Sequence, residues 1–387
     1  MLVTEMCNNS NKSEVFPLDI NQVILHHLQM NYKYPFVTSH GKVEKKDFYI
    51  IEVIDEHGTS GYGETESFAT PWYTEETMET NRIILENHLI PLVLEAKITH
   101  PSELSKIFRT IRRNQMAKAA IEGAVWDLYA KRTNQPLYKL IGGKEPTVDV
   151  GVSIGLKPTD QELLETIEEK LAQGYQRVKL KVKKGKEIRL LDKVRTSFPS
   201  LSLMIDANGA YSWEDKDRLL ALDQFNLLMI EQPFAQDDFV EHAKLQNLLQ
   251  TPICLDESIH TYSDLKTAIA LHSCKIVNIK PSRVGGIQNT KEMHDLAEQH
   301  QLPLWCGGML EAGVGRAHSL AIATLPQFTL PADTAGSAYY WEKDIIQPEI
   351  KTDNGKIHLS ENPGIGYAID KEALAYYRIE KQIHTKK

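Results

Sequence analysis

From residue 150 to residue 310, short apolar runs recur at a nearly constant interval, and most end on a charged residue. Arg177-Val-Lys-Leu-Lys-Val182 carries Lys181, and 25 residues on Leu201-Ser-Leu-Met-Ile ends at Asp206. Another 25 bring Leu227-Leu-Met-Ile to Glu231, 25 more bring Pro252-Ile-Cys-Leu to Asp256, and 24 bring Lys275-Ile-Val-Asn-Ile to Lys280. One step further lies Leu304-Trp305-Cys306, and one step earlier lies Gly151-Val-Ser-Ile-Gly155. Such a period marks a repeated supersecondary unit. Short apolar runs with few breakers suit strands buried on both faces. Helical patterns lie between them, as at Asp160–Ala172, with Asp160 expected as the cap and Gly174 as the stop. Strand and helix alternating at this spacing predict parallel βα units closed into an eight-fold α/β barrel, whose chemistry sits at the C-terminal strand ends. The charges fall at those ends. Within 177–182, Val178, Leu180 and Val182 share one face and Lys179 and Lys181 the other, so apolar contact with the helices turns both lysines down the barrel axis.

The first ~140 residues follow a different pattern. Strands are expected around Leu18–Leu28 and Asp47–Glu56, then helices at about 75–95 and 101–132, ending near Ile141-Gly-Gly-Lys. The expected division is an α+β capping domain over 17–140, a barrel over 141–340, and a segment over 341–387. In that last segment, short extended pieces at 345–369 return to the first domain. Tyr34–Gly41 and Gly61–Phe68 are loops rich in candidate substrate contacts, although most loop residues are only turns.

Composition narrows this picture by exclusion. A length of 387 residues suits two domains, and 42% hydrophobic with 25% charged residues is ordinary for a soluble globular protein. The net charge of −8 argues against a nucleic-acid scaffold. No run of about 18 apolar residues is present for a membrane span. The four cysteines lack a C-x-x-C pair, which points to reduced thiols and a cytoplasmic enzyme. Residues 1–16 are polar, without the apolar core of a secretory signal, and are expected to be a disordered lead-in or a cloning remnant. No P-loop, dinucleotide fingerprint or nucleophile elbow occurs.

Asp206, Glu231 and Asp256 close three successive units. Each acid alone could as well cap a helix or pair with a lysine. Three on one lattice, with no Cys or His among them, form an all-oxygen site for a hard cation, Mg²⁺ or another such as Mn²⁺. Counting from Gly151–Gly155, Lys181 is on the second strand and Lys280 on the sixth, on opposite walls with the acids on the arc between. A small-molecule carboxylate on the cation would have one lysine on each face. The cation lowers the energy of the enediolate formed when the adjacent C–H is lost, and a lysine takes that proton. A lysine base near neutrality needs its pKa lowered by about three units, roughly 4 kcal/mol, and like-charge repulsion from Lys179 acts in that direction. Further candidates are Asn208 and Glu257 beside the acids, Ser153 on the first strand, Arg283 after Lys280, and Gly307, Gly308 and Met309 after the seventh strand. Each has a plain alternative as a turn, core or surface residue. His318 is expected to pack on a helix.

Taken together, Lys179-x-Lys181, Asp206-Ala-Asn208, Glu231-Gln-Pro, Asp256-Glu-Ser, Lys280-Pro and Trp305-Cys-Gly-Gly-Met-Leu-Glu-Ala-Gly-Val-Gly-Arg-Ala-His318 resemble the enolase superfamily, muconate-lactonizing subgroup. Within it they are most similar to the o-succinylbenzoate synthase / N-succinylamino acid racemase branch. The resemblance implies an N-terminal α+β capping domain over a modified (β/α)7β barrel, with Mg²⁺ on Asp206, Glu231 and Asp256. It implies that Lys181 removes the α-proton and then assists the syn dehydration of 2-succinyl-6-hydroxy-2,4-cyclohexadiene-1-carboxylate to 2-succinylbenzoate, a menaquinone precursor. Lys280 then serves as a stabilising cation. The alternative it implies is racemisation of N-acylamino acids by both lysines, and Arg283 matches a position linked to that activity. A homo-oligomer is expected, as is common for such barrels. Ser282 departs from the glycine expected there. A His base on the seventh strand and an Asp-x-Asp on the eighth, marks of two other subgroups, are missing; muconate cycloisomerisation stays open on the catalytic residues alone.

Overall fold

The computed structural model describes residues 17–38 and 41–386. The lead-in expected over 1–16, and residues 39–40 of the Tyr34–Gly41 stretch, lie outside the described residues. The chain opens as an antiparallel meander of β1 (Ile20–Thr38), β2 (Gly41–Asp55) and β3 (Ser60–Glu64). Both long strands run past the apolar pattern that predicted them. Their pairing continues to Thr38↔Gly41, so the backbone ladder extends the hairpin. Alternation along β1 and β2 turns Val23, Leu25, Ile51 and Val53 toward the helices of this unit, and Leu28, Met30, Phe48 and Ile50 toward the core shared with the barrel.

The helices expected at 75–95 are Met78–Ile84 and Ile90–Glu95, joined by a π-turn, and Thr77 caps the first through Thr80 N. The pattern at 101–132 is broken. Three short turns precede the helix Gln115–Arg132, because Arg113 and Asn114 adopt φ of 52° and 54°, outside the helical region. This helix lies so close to β3 that a Cβ on Gly63 would sit 1.9 Å from the Ala120 carbonyl oxygen.

After β4 (Thr147–Asp149) come seven parallel strands: β5 (Val152–Ile154), β6 (Arg177–Lys181), β7 (Ser202–Asp206), β8 (Ile230–Glu231), β9 (Ile253–Leu255), β10 (Ile276–Ile279) and β11 (Leu304–Cys306). They hydrogen-bond in chain order, as the repeat predicted. The eighth place is taken by residues 328–332, which form no continuous ladder: they make the isolated bridges Leu304↔Phe328 and Val150↔Ala332, with Thr329 N donating to Leu304 O at 3.1 Å and Ala332 N to Asp149 O at 2.8 Å. Pro331 has no N–H to give a ladder there. Helix Asp160–Ala172 is capped by Thr159, whose hydroxyl accepts Glu162 N at 3.2 Å; Asp160 is its first residue rather than its cap. Gly174 follows with φ +85°.

Within 345–369 the chain returns to the first unit, where Gly364 bridges Pro136 and Ile365 N donates to Asp127 Oδ1 at 2.7 Å. β12 (Ile346–Gln347) pairs with β14 (Ala368–Ile369), and β13 (Lys356–His358) pairs with β4. Beyond them β15 (Arg378–Thr385) also joins the first unit, adding to β1 and giving a sheet ordered β15-β1-β2-β3.

Carboxylates of the first unit lock it to the barrel. Glu122 accepts Ile287 N at 2.7 Å and Gln288 N at 2.9 Å, at the start of helix Ile287–Gln299. Glu64 accepts Ala312 N and Gly315 N at 2.8 Å, at the start of helix Gly313–Ala323. Each places carboxyl oxygens where a helix exposes unpaired N–H groups. His318 is buried in this seam, bonded to the carbonyls of Val314 and Gly123.

Candidate active site

Strand register brings the predicted acids together. Lys181 pairs with Asp206 across β6 and β7, and Asp206 with Glu231 across β7 and β8. Asp256 follows directly on β9. All three acids are buried. Lys179 and Lys181 face inward as the alternation required: Lys181 Nζ donates to Asp206 Oδ2 and to Asn208 Oδ1, both at 2.5 Å. On the opposite wall Lys280 Nζ donates to Asp256 Oδ2 at 2.9 Å. The two lysines therefore stand at the two ends of the acid arc, with Glu231 between.

Lys179 stands deeper, between Glu231 Oε2 at 3.3 Å and Asp206 Oδ2 at 3.6 Å, and against Asp333 Oδ2 at 2.9 Å. Burial favours its neutral form, but Asp333, Glu231 and Asp206 outweigh that and hold its pKa well above the usual lysine value. In this arrangement its charge is matched by acids, which screens the repulsion it exerts on Lys181. Asp333, on the segment in the eighth place, also accepts Ser153 Oγ at 2.6 Å. Despite burial, Lys179 and Arg177 hold its carboxyl below the usual range.

Arg283 is fully buried, not a surface charge. Its guanidinium bonds Asp256 Oδ1, the Tyr73 hydroxyl at 2.8 Å and the Ile259 carbonyl at 2.9 Å. Burial would raise the Asp256 pKa; Lys280 and Arg283 instead hold it below the ordinary carboxylate range. Tyr73 also accepts from Lys280 at 2.8 Å. Glu231 has the opposite balance: burial first, then the Asp206 charge, push its pKa up to about 8. Glu257 faces the site. Its Oε1 accepts Asn208 Nδ2 at 2.8 Å, and burial with the Asp256 charge raises it to about 7.

Gly307 lies against Lys280: a Cβ there would be 2.7 Å from Lys280 Cε and 2.4 Å from Asn278 Oδ1. Gly308 lies 2.5 Å, by the same measure, from the Asp333 carbonyl oxygen. Met309 is buried with Tyr73 and Met116 of the first unit. A cavity of about 190 Å³ opens beside the acids, lined by Trp72, Tyr73, Asn208, Gln232, Ala235 and Glu257 among others.

The donor set fits a hard divalent cation. Three carboxylates converge with an amide and no soft ligand, and Glu231 Oε2 is buried without a hydrogen-bond partner. Among the described residues His294, Asp295 and Glu298 bring ligand atoms within 4.8 Å of one another, closer than the three strand-end acids, which are drawn onto their lysines, stand to each other. There His294 Nε2 accepts Gln327 N at 3.1 Å, so Nδ1 carries the proton toward Asp295 and no ring lone pair is left for a metal.

Sequence reasoning missed Tyr73 and Asp333. Tyr73 lies on an irregular stretch 183 residues from Asp256, with no motif to mark it. Asp333 carries a usable signal in the sequence: it stands at the eighth repeat, the place of a charged strand end.

Residues 20–142 match the profile of the mandelate racemase / muconate lactonizing enzyme N-terminal domain, and residues 162–373 match that of the enolase C-terminal domain-like fold. The chain is 55% identical to an o-succinylbenzoate synthase of Geobacillus stearothermophilus, over 93% of this chain and 96% of that protein. It is 42% identical to an N-succinylamino acid racemase of Thermus thermophilus, over 88% and 92%. A crystal structure of an enolase-superfamily member from Listeria innocua superposes with a TM-score of 0.93 at 43% identity, covering 96% of this chain and 100% of that one.

Proposed function

Because the chain belongs to the mandelate racemase / muconate lactonizing enzyme family of the enolase superfamily, we propose that it is an o-succinylbenzoate synthase. Its reaction is the syn dehydration of 2-succinyl-6-hydroxy-2,4-cyclohexadiene-1-carboxylate to 2-succinylbenzoate, a step of menaquinone synthesis. The observation that carries the reading is the placement of Lys181 and Lys280 on Asp206 and Asp256, the outer acids of one arc, so that a substrate over the arc meets an amine on either side.

Asp206, Glu231 and Asp256 would hold Mg²⁺, with Asn208 and Glu257 beside them. When bound, the cation supplies positive charge to the substrate carboxylate as electron density builds on it. Lys181, the more exposed of the two site lysines on β6, takes the proton from the carbon that bears the carboxylate. The C–H electrons enter the ring, the C–O bond breaks on the same face, and Lys181 returns its proton to the departing hydroxide as water. Lys280 stays protonated, since Asp256 outweighs the burial that opposes its charge and holds its pKa above the usual value. It faces the developing charge as a cation.

The pair of opposed lysines also supports N-succinylamino acid racemisation, in which one lysine takes the α-proton and the other delivers one to the opposite face. With the function we propose a division into a capping domain over 17–140, a barrel over 141–340 and a returning segment over 341–387, and a homo-oligomeric cytoplasmic enzyme. Among the described residues, no helix is long and apolar enough to cross a membrane. Purified protein with Mg²⁺ and the cyclohexadiene substrate should yield the aromatic product, and absence of turnover would remove the synthase. Deuterium exchange at the α-carbon of both N-succinylamino acid enantiomers, lost from one in Lys280→Ala, tests the racemase; exchange from a single enantiomer in the wild type would remove it.

A further inference from the structure

The residue after Glu231 does unusual work for its position. β8 is only two residues long, and Gln232, the residue just after it, has a φ of +41°. A left-handed conformation in a residue other than glycine is uncommon, and Pro233 next to it restricts it further. Such a conformation persists only where its surroundings over-determine it, and it clusters at functional sites.

The surroundings are hydrogen bonds that cross three strand ends. The Gln232 side chain is buried, at 1% exposure. Its Oε1 accepts Asp256 N at 3.0 Å and Ser258 N at 3.2 Å, and its Nε2 donates to Ser258 Oγ at 2.8 Å and to the Phe234 carbonyl at 3.1 Å. Its backbone N–H donates to the Cys254 carbonyl, and its own carbonyl accepts Gly209 N, both at 2.8 Å. One residue thus ties the end of β7, three residues past Asp206, to the end of β8 at Glu231 and to the end of β9 at Asp256. A carboxylate in its place lacks the donor, and an apolar side chain of the same length lacks all four side-chain bonds.

We infer that Gln232 is a positioning residue that fixes the spacing of the Asp206, Glu231 and Asp256 carboxylates and thereby makes the site select small divalent cations. This rests on the cation reading above. Mg²⁺ demands near-ideal octahedral geometry at 2.0–2.1 Å, whereas Ca²⁺ accepts flexible geometry at 2.3–2.6 Å. Loosening the tie therefore penalises Mg²⁺ more than Ca²⁺.

The test is calorimetric titration of the full-length protein with Mg²⁺ and, separately, Ca²⁺, for wild type, Gln232→Met and Ser258→Ala, with circular dichroism to check folding. Gln232→Met should weaken Mg²⁺ binding about tenfold or more, the range for residues that orient metal ligands, while the Ca²⁺ affinity changes much less. Ser258→Ala, which removes one bond of the four, should shift the Mg²⁺/Ca²⁺ ratio in the same direction by a smaller factor, and it decides the matter if Gln232→Met does not fold. Unchanged affinities in Gln232→Met, or equal losses for both cations, overturn the inference while leaving the cation site in place. A wild-type protein that binds no Mg²⁺ overturns the cation reading itself, and the inference with it.

Discussion

Replacing Gly307 with alanine tests the site where its packing is tightest. The added Cβ would lie 2.4 Å from Asn278 Oδ1, 2.6 Å from Asn278 Nδ2 and 2.7 Å from Lys280 Cε. All are closer than non-bonded carbon can come, so both side chains must move. Two consequences follow. Lys280 Nζ leaves its position between Asp256 and Tyr73 by something near an ångström, and misplacement of a catalytic group on that scale lowers rate about a hundredfold. Asn278 Nδ2 loses its 2.8 Å bond to Glu231 Oε1, a charge-assisted contact worth roughly 1.5–3 kcal/mol. The hundredfold loss is about 2.7 kcal/mol of barrier, so Gly307→Ala should lower kcat by about two orders of magnitude, with a modest fall in Tm. The assay is the initial rate of aromatic product formation, paired with α-deuterium exchange from each enantiomer of an N-succinylamino acid. Exchange on the Lys280 face should fall more than exchange on the Lys181 face, because Lys181 lies on the far wall. Wild-type kcat, or equal loss on both faces, would refute the placement of Lys280 against Gly307.

Tyr73→Phe removes a hydroxyl that touches Lys280, Arg283 and Asp256 but keeps the ring; kcat should fall about tenfold, the effect of losing one such hydrogen bond, without change in the circular dichroism spectrum. Adding Mg²⁺ to metal-stripped protein should raise Tm, by a stabilisation of about 2.7 kcal/mol at a hundredfold excess over Kd; scanning fluorimetry with and without chelator measures it, and an unchanged Tm counts against the cation. Burial raises the Glu122 pKa to about 7. The unfolded chain therefore ionises first, so the stability conferred by the neutral form is complete below about pH 4.5 and declines as pH rises to about 7, by at most roughly 3 kcal/mol. Urea unfolding of wild type and Glu122→Gln at pH 5 and pH 8 should show a smaller pH dependence in the variant.

Sequence alone determined the order of the barrel strands and the identity of the charges at their ends. Both are local: burial on two faces demands an apolar run, the crossover helix sets the interval, and parity along Arg177–Lys181 turns both lysines inward. It also marked Asn208 and Arg283 as candidates, though not whether the guanidinium is buried. Tertiary structure alone decided the rest. Tyr73 reaches Asp256 only because the first unit is pinned to the barrel by Glu64 and Glu122. Asp333 meets Lys179 only because the barrel closes, across single bridges that leave no strand-like pattern. The pairing of Asp256 with two cations, and of Glu231 with Lys179 alone, follows from distances between separate repeats, and periodicity carries no information about distance across a barrel.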